Sequence, residues 1–402
     1  MATRRFDEDP PIVLVNFWWF LFFYYGSYNV IALWLITRIF RMYSLNWWSP
    51  GWSGKTAGAA CWLVSMAGGA IVHVFLPHLE KFTITWVLLT FLTLTIPLMS
   101  AFAVIRGENR NVYRHSLTLT QQTFQVTGST EPRIPASYVR FLWFCFVLVM
   151  MWSTTVAGGF YAWTYLSTLP HTGMEAFVYV YSWVGIVYAL DFICETIVED
   201  KIRSHPLCTV FRLYFYLLYF IFYRNLFARL RNVEQFALIQ VASSIWVSIF
   251  YPLRMTPKAH RFLQKWFGMT RDYDDYQKML GQLFYTRTIA ENVTMLGFLC
   301  WMNAIRAGPN APVYPYYQFE GYPDDPYTYE LTMICSVGIW ISELTTAYVT
   351  RGLFKAYFRH SITREAVTDM QRYPDTVLTM ILVSVHVMQS MLLALFQLDF
   401  KH

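Results

Sequence analysis

The chain has 402 residues, of which 56% are hydrophobic, 19% aromatic and 14% charged, with a mean hydropathy of +0.33. A soluble domain carries about 25% charged residues, so this composition excludes a water-soluble globular protein. Apolar runs of roughly 20 residues recur along the chain, with no long hydrophilic interval to house a separate catalytic or regulatory domain. The net charge of +6 matters less than where Lys and Arg fall, because their distribution over the loops sets membrane topology. The predicted fold class is an all-α, polytopic integral membrane helix bundle of eight to ten transmembrane helices, forming a single membrane domain over residues 1–402.

The segment before residue 12 is too acidic and too short for a mitochondrial presequence, and no small-residue cleavage site follows it. The first helix is therefore expected to act as its own anchor. Long apolar spans run over 12–39, 57–76, 84–105, 138–166, 175–198, 283–305, 331–349 and 377–398. Two weaker segments lie between the fifth and sixth of these. Residues 213–223 are wholly apolar or aromatic but bracketed by Arg212 and Arg224, and a helix of that length reaches only about 17 Å against about 30 Å of hydrocarbon. Residues 236–253 are also marginal. If both segments cross there are ten helices, and if neither does there are eight; parity is the same.

Basic residues gather in alternate loops. Arg38, Arg41 and Lys55 follow the first span, and Arg106, Arg110, Arg114, Arg133 and Arg140 follow the third. Lys201 and Arg203 follow the fifth, a basic stretch covers 254–287, and Arg351, Lys355, Arg359, Arg364 and Arg372 precede the last span. The other loops hold little beyond Lys81, Arg306 and Lys401. The positive-inside rule makes the basic loops cytosolic and both termini external or lumenal. Arg224, Arg229 and Arg231 fit that rule only if 198–287 stays on the cytosolic side, which favours eight spans.

Three loops carry local signals. Residues 115–128 alternate apolar and polar side chains and predict a small cytosolic β-hairpin. Residues 256–268 read as an interfacial amphipathic helix with Thr256 as N-cap, Pro257 in the first turn and Gly268 closing it. Its apolar face holds Ala259, Phe262, Leu263, Trp266 and Phe267, with Lys258, His260, Arg261 and Lys265 on the polar side. Such a helix lies on the inner leaflet and attracts anionic lipid through Lys258, Arg261, Lys265 and Trp266. Residues 307–329, rich in Pro and Tyr, predict a stiff external strap.

The ionisable groups within apolar runs are the candidate site. Asp191, Glu195 and Glu199 stand at i, i+4 and i+8, so they share one helix face. With the topology above they fall in the cytosolic half of the bilayer, as do Arg287, Glu291 and Asn292 and, on a third span, Glu343. The economical expectation is one acidic vestibule in which Arg287 pairs with Glu291 and leaves Asp191, Glu195 and Glu343 to bind ions or protons. Structural pairing of all these charges is the competing reading. His386, with Gln389 one turn on, is a further gate or partner residue in the last span.

Enzyme signatures such as HExxH, an HxxxH cluster or a P-loop are missing, and neither catalytic residues nor a cofactor or metal is assigned. The six cysteines form no CxxC motif and read as small core residues. The sequence thus predicts a transporter or channel for a cation or protons. A non-catalytic subunit of a membrane complex is the second reading, and a membrane enzyme or scramblase the third. The bilayer, including anionic lipid, is the expected partner, with a second copy of the chain or other complex subunits left open and no sign of nucleic-acid binding.

Overall fold

The computed structural model describes residues 15–43, 54–106, 137–167, 173–227, 233–267, 272–308 and 329–395, and the regular structure over them is helical. The chain starts with Phe17–Trp19, capped by the Asn16 side chain, which accepts from the Trp19 N–H at 3.2 Å. A π-helical turn, Phe20–Tyr25, leads into α1 (Gly26–Tyr43). Then follow α2 (Gly54–Phe75), α3 (Pro77–Glu80), α4 (Thr83–Arg106), α5 (Ser137–Ser167) and α6 (Gly173–Ile197). A second π-helical turn, Val198–Ile202, and Arg203 in the left-handed region at φ 60° reverse the chain into α7 (His205–Phe227). The remaining elements are α8 (Val233–Arg254), α9 (Pro257–Phe267), α10 (Tyr273–Ala307), α11 (Tyr329–Phe358), α12 (Ile362–Arg372) and α13 (Pro374–Leu395).

Among the described residues eight stretches are long and apolar enough to cross a bilayer: Phe17–Phe40, Gly58–Phe75, Thr83–Ala103, Tyr138–Tyr161, Tyr181–Ile202, His205–Arg224, Tyr329–Phe358 and Pro374–Leu393. The protein is a multi-pass integral membrane protein. The set differs from the predicted one. The segment 213–223, expected to lie at the interface, is the middle of α7, a 23-residue helix of about 34 Å. It is the most enclosed of the candidate spans, 89% buried, and packs against α1, α5, α6, α10 and α13. Conversely, α10 carries Arg287, Glu291 and Asn292 and is too polar to join the apolar set, although its 35 residues reach about 52 Å. With 22 residues, or about 33 Å, α8 also has membrane length, and it packs along α11.

The outer helices turn large apolar side chains away from the protein: Phe75 is 74% exposed, Phe160 67% and Ile334 70%. In a bilayer these are lipid-facing surfaces, where apolar exposure costs nothing. Glycine permits close approach where helices cross. A Cβ at Gly26 would collide with the Trp62 ring, and one at Gly69, within the small-residue run 65–70, with the Leu21 side chain.

At α9 the expected cap forms, with Thr256 Oγ1 accepting from the Ala259 N–H at 3.3 Å. One residue faces the other way from its prediction. His260 is buried, its ring 5.0 Å from that of Tyr276 and 5.5 Å from that of Tyr273. The helix is thus pinned to α10 through His260, while Lys258, Arg261, Phe262, Lys265 and Trp266 are exposed. The predicted hairpin at 115–128 lies outside the described residues, as does the strap at 307–329 apart from its ends.

Candidate functional site

Two arginines on α7 organise the buried charges. Arg212, whose side chain is 5% exposed, reaches across to α6, with Nη2 2.6 Å from Glu195 Oε1 and Nε 3.7 Å from Asp191 Oδ2. The i, i+4 spacing read from sequence does put both acids on one face, and that face meets a guanidinium. Cys194 and Cys208 are buried beside them. One ligand atom each of Glu195, Glu199 and Cys208 falls within 4.8 Å of the others, which is metal-like spacing. A divalent ion there would stand against the fixed charge of Arg212, which lies 2.6 Å from Glu195.

Twelve residues further along α7, about 18 Å of helical rise, Arg224 forms the second group. Its Nη2 donates to Glu343 Oε2 on α11 at 2.6 Å and reaches the Glu291 carbonyl at 3.5 Å. Arg287 pairs with Glu291 within α10 at 2.8 Å, as the i, i+4 spacing predicted. Aromatic faces enclose both cations: Phe220 lies 5.7 Å from Arg224 and 5.6 Å from Arg287, and Tyr251 lies 5.7 Å from Arg287. Gln240, Ser243 and Ser244 of α8 join Arg287, Glu291 and Glu343 around a cleft with about 10 Å³ of water-accessible space, room for about one water.

The charges on the three helices expected to share one vestibule therefore form two groups. Asp191 and Glu195 meet at Arg212, whereas Arg287, Glu291 and Glu343 meet at Arg224. Asn292 takes a structural role, with Oδ1 accepting from Trp340 Nε1 at 2.9 Å and Nδ2 donating to the Thr288 carbonyl at 2.8 Å. His386 is stacked on Tyr28, ring centroids 4.7 Å apart. Sequence reading missed Arg212 and Arg224, which it took as the borders of a short apolar run. Available signals were the two unmatched acids on α6 and the one on α11, each needing a cation from another helix.

Fold and charge placement define the class: a polytopic helical membrane protein with ion pairs buried inside its bundle. A family model described as SPCC553.12c matches residues 5–396, and the chain belongs to that family. It is also 33% identical over 408 residues to "Uncharacterized protein C553.12c" of Schizosaccharomyces pombe (strain 972 / ATCC 24843), across 98% of this chain and 76% of that protein. No solved structure matches it.

Proposed function

We propose that this protein transports protons or a small cation, with Asp191 as the exchangeable carboxylate. The observation that carries the reading is the unequal hold of one arginine on two acids. Glu195 engages Arg212 at 2.6 Å, whereas Asp191, 6% exposed within a membrane span, stays 3.7 Å from it, longer than a direct hydrogen bond. Asp191 is held by charge without a short contact, so it can gain or lose a proton or ion at less cost than Glu195 or Glu343. Glu195 and Glu343 serve as its partners in the ion path, and the Arg224–Glu343 and Arg287–Glu291 pairs as a closed gate.

The test is reconstitution in liposomes. Asp191→Asn is expected to lower proton or cation flux at least roughly tenfold while melting close to the parent, because it removes a buried charge and leaves Arg212 its shorter contact. The second reading, a non-catalytic complex subunit, draws support from the balanced pairs around Arg224. It expects no flux from the parent protein and early melting of Asp191→Asn.

Anionic lipid belongs to the same proposal as the partner of α9, on the cytosolic side by the positive-inside rule. Lys258, Arg261 and Lys265 flank the exposed rings of Phe262 and Trp266, and each basic residue near an anionic surface contributes about 1 kcal/mol. Purified protein is expected to bind vesicles containing phosphatidylserine-type lipid more tightly than neutral ones in low-detergent titrations. Replacing all three basic residues by alanine should erase the preference, and raised salt should weaken it. Equal binding to both vesicle types by the parent protein counts against this part.

A further inference from the structure

A second cavity lies where the first turns of α7 meet α10, α12 and the start of α13, on the side that the positive-inside rule makes cytosolic. It holds about 40 Å³ of water-accessible space, room for about three water-sized spheres. It shares no lining residue with the cleft around Arg287. Two of its polar groups have unused hydrogen-bonding capacity. Thr376, 6% exposed, lines the cavity, and its hydroxyl has no hydrogen-bond partner, although buried hydroxyls are almost always satisfied. Asp369 accepts from the Gln282 amide on Oδ2, and His205 Nε2 stands 3.9 Å from that same oxygen, beyond hydrogen-bond reach. Both contacts fall on Oδ2 and leave Oδ1 open. Basic residues are plentiful nearby in sequence, yet among the described residues no lysine or arginine pairs with this acid. Asp375 takes Arg38 at 3.3 Å, whereas Arg372, one turn after Asp369, lies over the Tyr373 ring at 5.6 Å, and Arg351 lies over the Tyr285 ring at 5.9 Å.

We propose that this cavity is a binding site for a primary ammonium group on a short apolar stem, of the size of methyl- or ethylammonium. Such a group carries three N–H donors. Three acceptors line the cavity to meet them: the open oxygen of Asp369, the Thr376 hydroxyl and the hydroxyl of Thr286, which is 2% exposed. Met370, Met380 and the rings of Tyr285 and Tyr373 form apolar walls for the stem. The same lining rejects other ligands. No lysine or arginine lines the cavity, so a phosphate or carboxylate finds no cation to pair with. A calcium or magnesium ion needs six or more oxygen ligands, and one carboxylate among thioethers and rings falls short of that. Arg351 and Arg372 beside the two rings weaken the hold on any cation, so the attraction comes chiefly from Asp369. The site does not depend on the transport reading above. Its chemistry is the same for a free amine and for the head of an ethanolamine lipid, and these sources are separated by experiment.

Equilibrium dialysis of radiolabelled methylammonium against the full-length protein, held in nanodiscs of choline-headgroup lipid, tests the site. The parent protein is expected to bind it saturably, one per chain. Asp369→Asn should weaken binding at least roughly tenfold, because it removes the charge that the ammonium faces. Thr376→Val keeps the shape and removes the hydroxyl. It should weaken binding roughly tenfold while melting at or above the parent, since it deletes an unsatisfied buried group, and it carries the test if Asp369→Asn does not fold. Tetramethylammonium, which has no N–H donor, and acetate should not compete. In nanodiscs of ethanolamine-headgroup lipid, weaker methylammonium binding means that the lipid amine occupies the site, and unchanged binding assigns it to a free amine. Absence of saturable binding by the parent protein overturns the proposal, as does parent-level binding in both variants. Displacement by acetate or tetramethylammonium as effective as by ethylammonium overturns the ligand class.

Discussion

Arg212→Ala is expected to be the most damaging single replacement in the bundle, with the purified protein either failing to accumulate or melting far below the parent. The reason is the environment that α6 and α7 build together. Arg212 is 5% exposed and is the cation that both Asp191 and Glu195 face, at 3.7 and 2.6 Å. Deleting it leaves two neighbouring carboxylates in an apolar interior, and breaking a buried pair costs about 3–5 kcal/mol out of a total stability of about 5–15 kcal/mol. Arg212→Lys keeps the charge but has no planar fork to serve two acids, so it should fall between. Lys258→Ala on the exposed face of α9 should shift stability by about 0.5 kcal/mol or less and supplies the control. Melting curves in detergent, read by intrinsic fluorescence, settle the order. If Arg212→Ala melts with the control, the α6–α7 ion pair carries no structural weight.

Membrane class, helix period and the i, i+4 relations were all legible in the chain because each is local. The Asp191/Glu195 face and the Arg287–Glu291 pair follow from 3.6 residues per turn, and both appear as read. What depended on other helices was not legible. The run 213–223 looks too short to span because Arg212 and Arg224 interrupt it, yet α7 crosses the bundle because Glu195 and Glu343, on helices distant in sequence, neutralise those arginines. Hydropathy scores a buried arginine by its cost in lipid and has no term for a partner on another helix. The same limit explains the single vestibule expected for the acids: similar depth was inferred, but α7 separates the groups by 12 residues and gives each its own cation. His260 shows the limit on a smaller scale. An amphipathic plot places it with the lysines, whereas the rings of Tyr273 and Tyr276 turn it inward.

A double-mutant cycle at Arg224 and Glu343 should return the second-largest effect, and a sign that surface ion pairs never give. Arg224→Leu is expected to destabilise strongly, because Glu343, buried on α11, would keep its charge with its 2.6 Å partner gone. Glu343→Leu should do the same through Arg224, whose other hydrogen bond is a long one, 3.5 Å to the Glu291 carbonyl. Each single change should cost about 3–5 kcal/mol. The double variant should nevertheless melt above either single one and near the parent, since two leucines of fitting volume need no desolvated charge, and replacing a buried pair by apolar residues is often neutral or stabilising. A coupling energy of about 6–10 kcal/mol, the two single losses recovered in the double variant and above the roughly 0.5–3 kcal/mol usual for contacting residues, would mark the pair as one energetic unit. Additive losses would mean that Arg224 and Glu343 are each satisfied separately. The double variant also probes the gate: if the pair only clamps α7 to α11, flux in liposomes should follow melting temperature across the cycle. A pair that must open for transport gives a different pattern, in which the stable double variant still differs from the parent in rate.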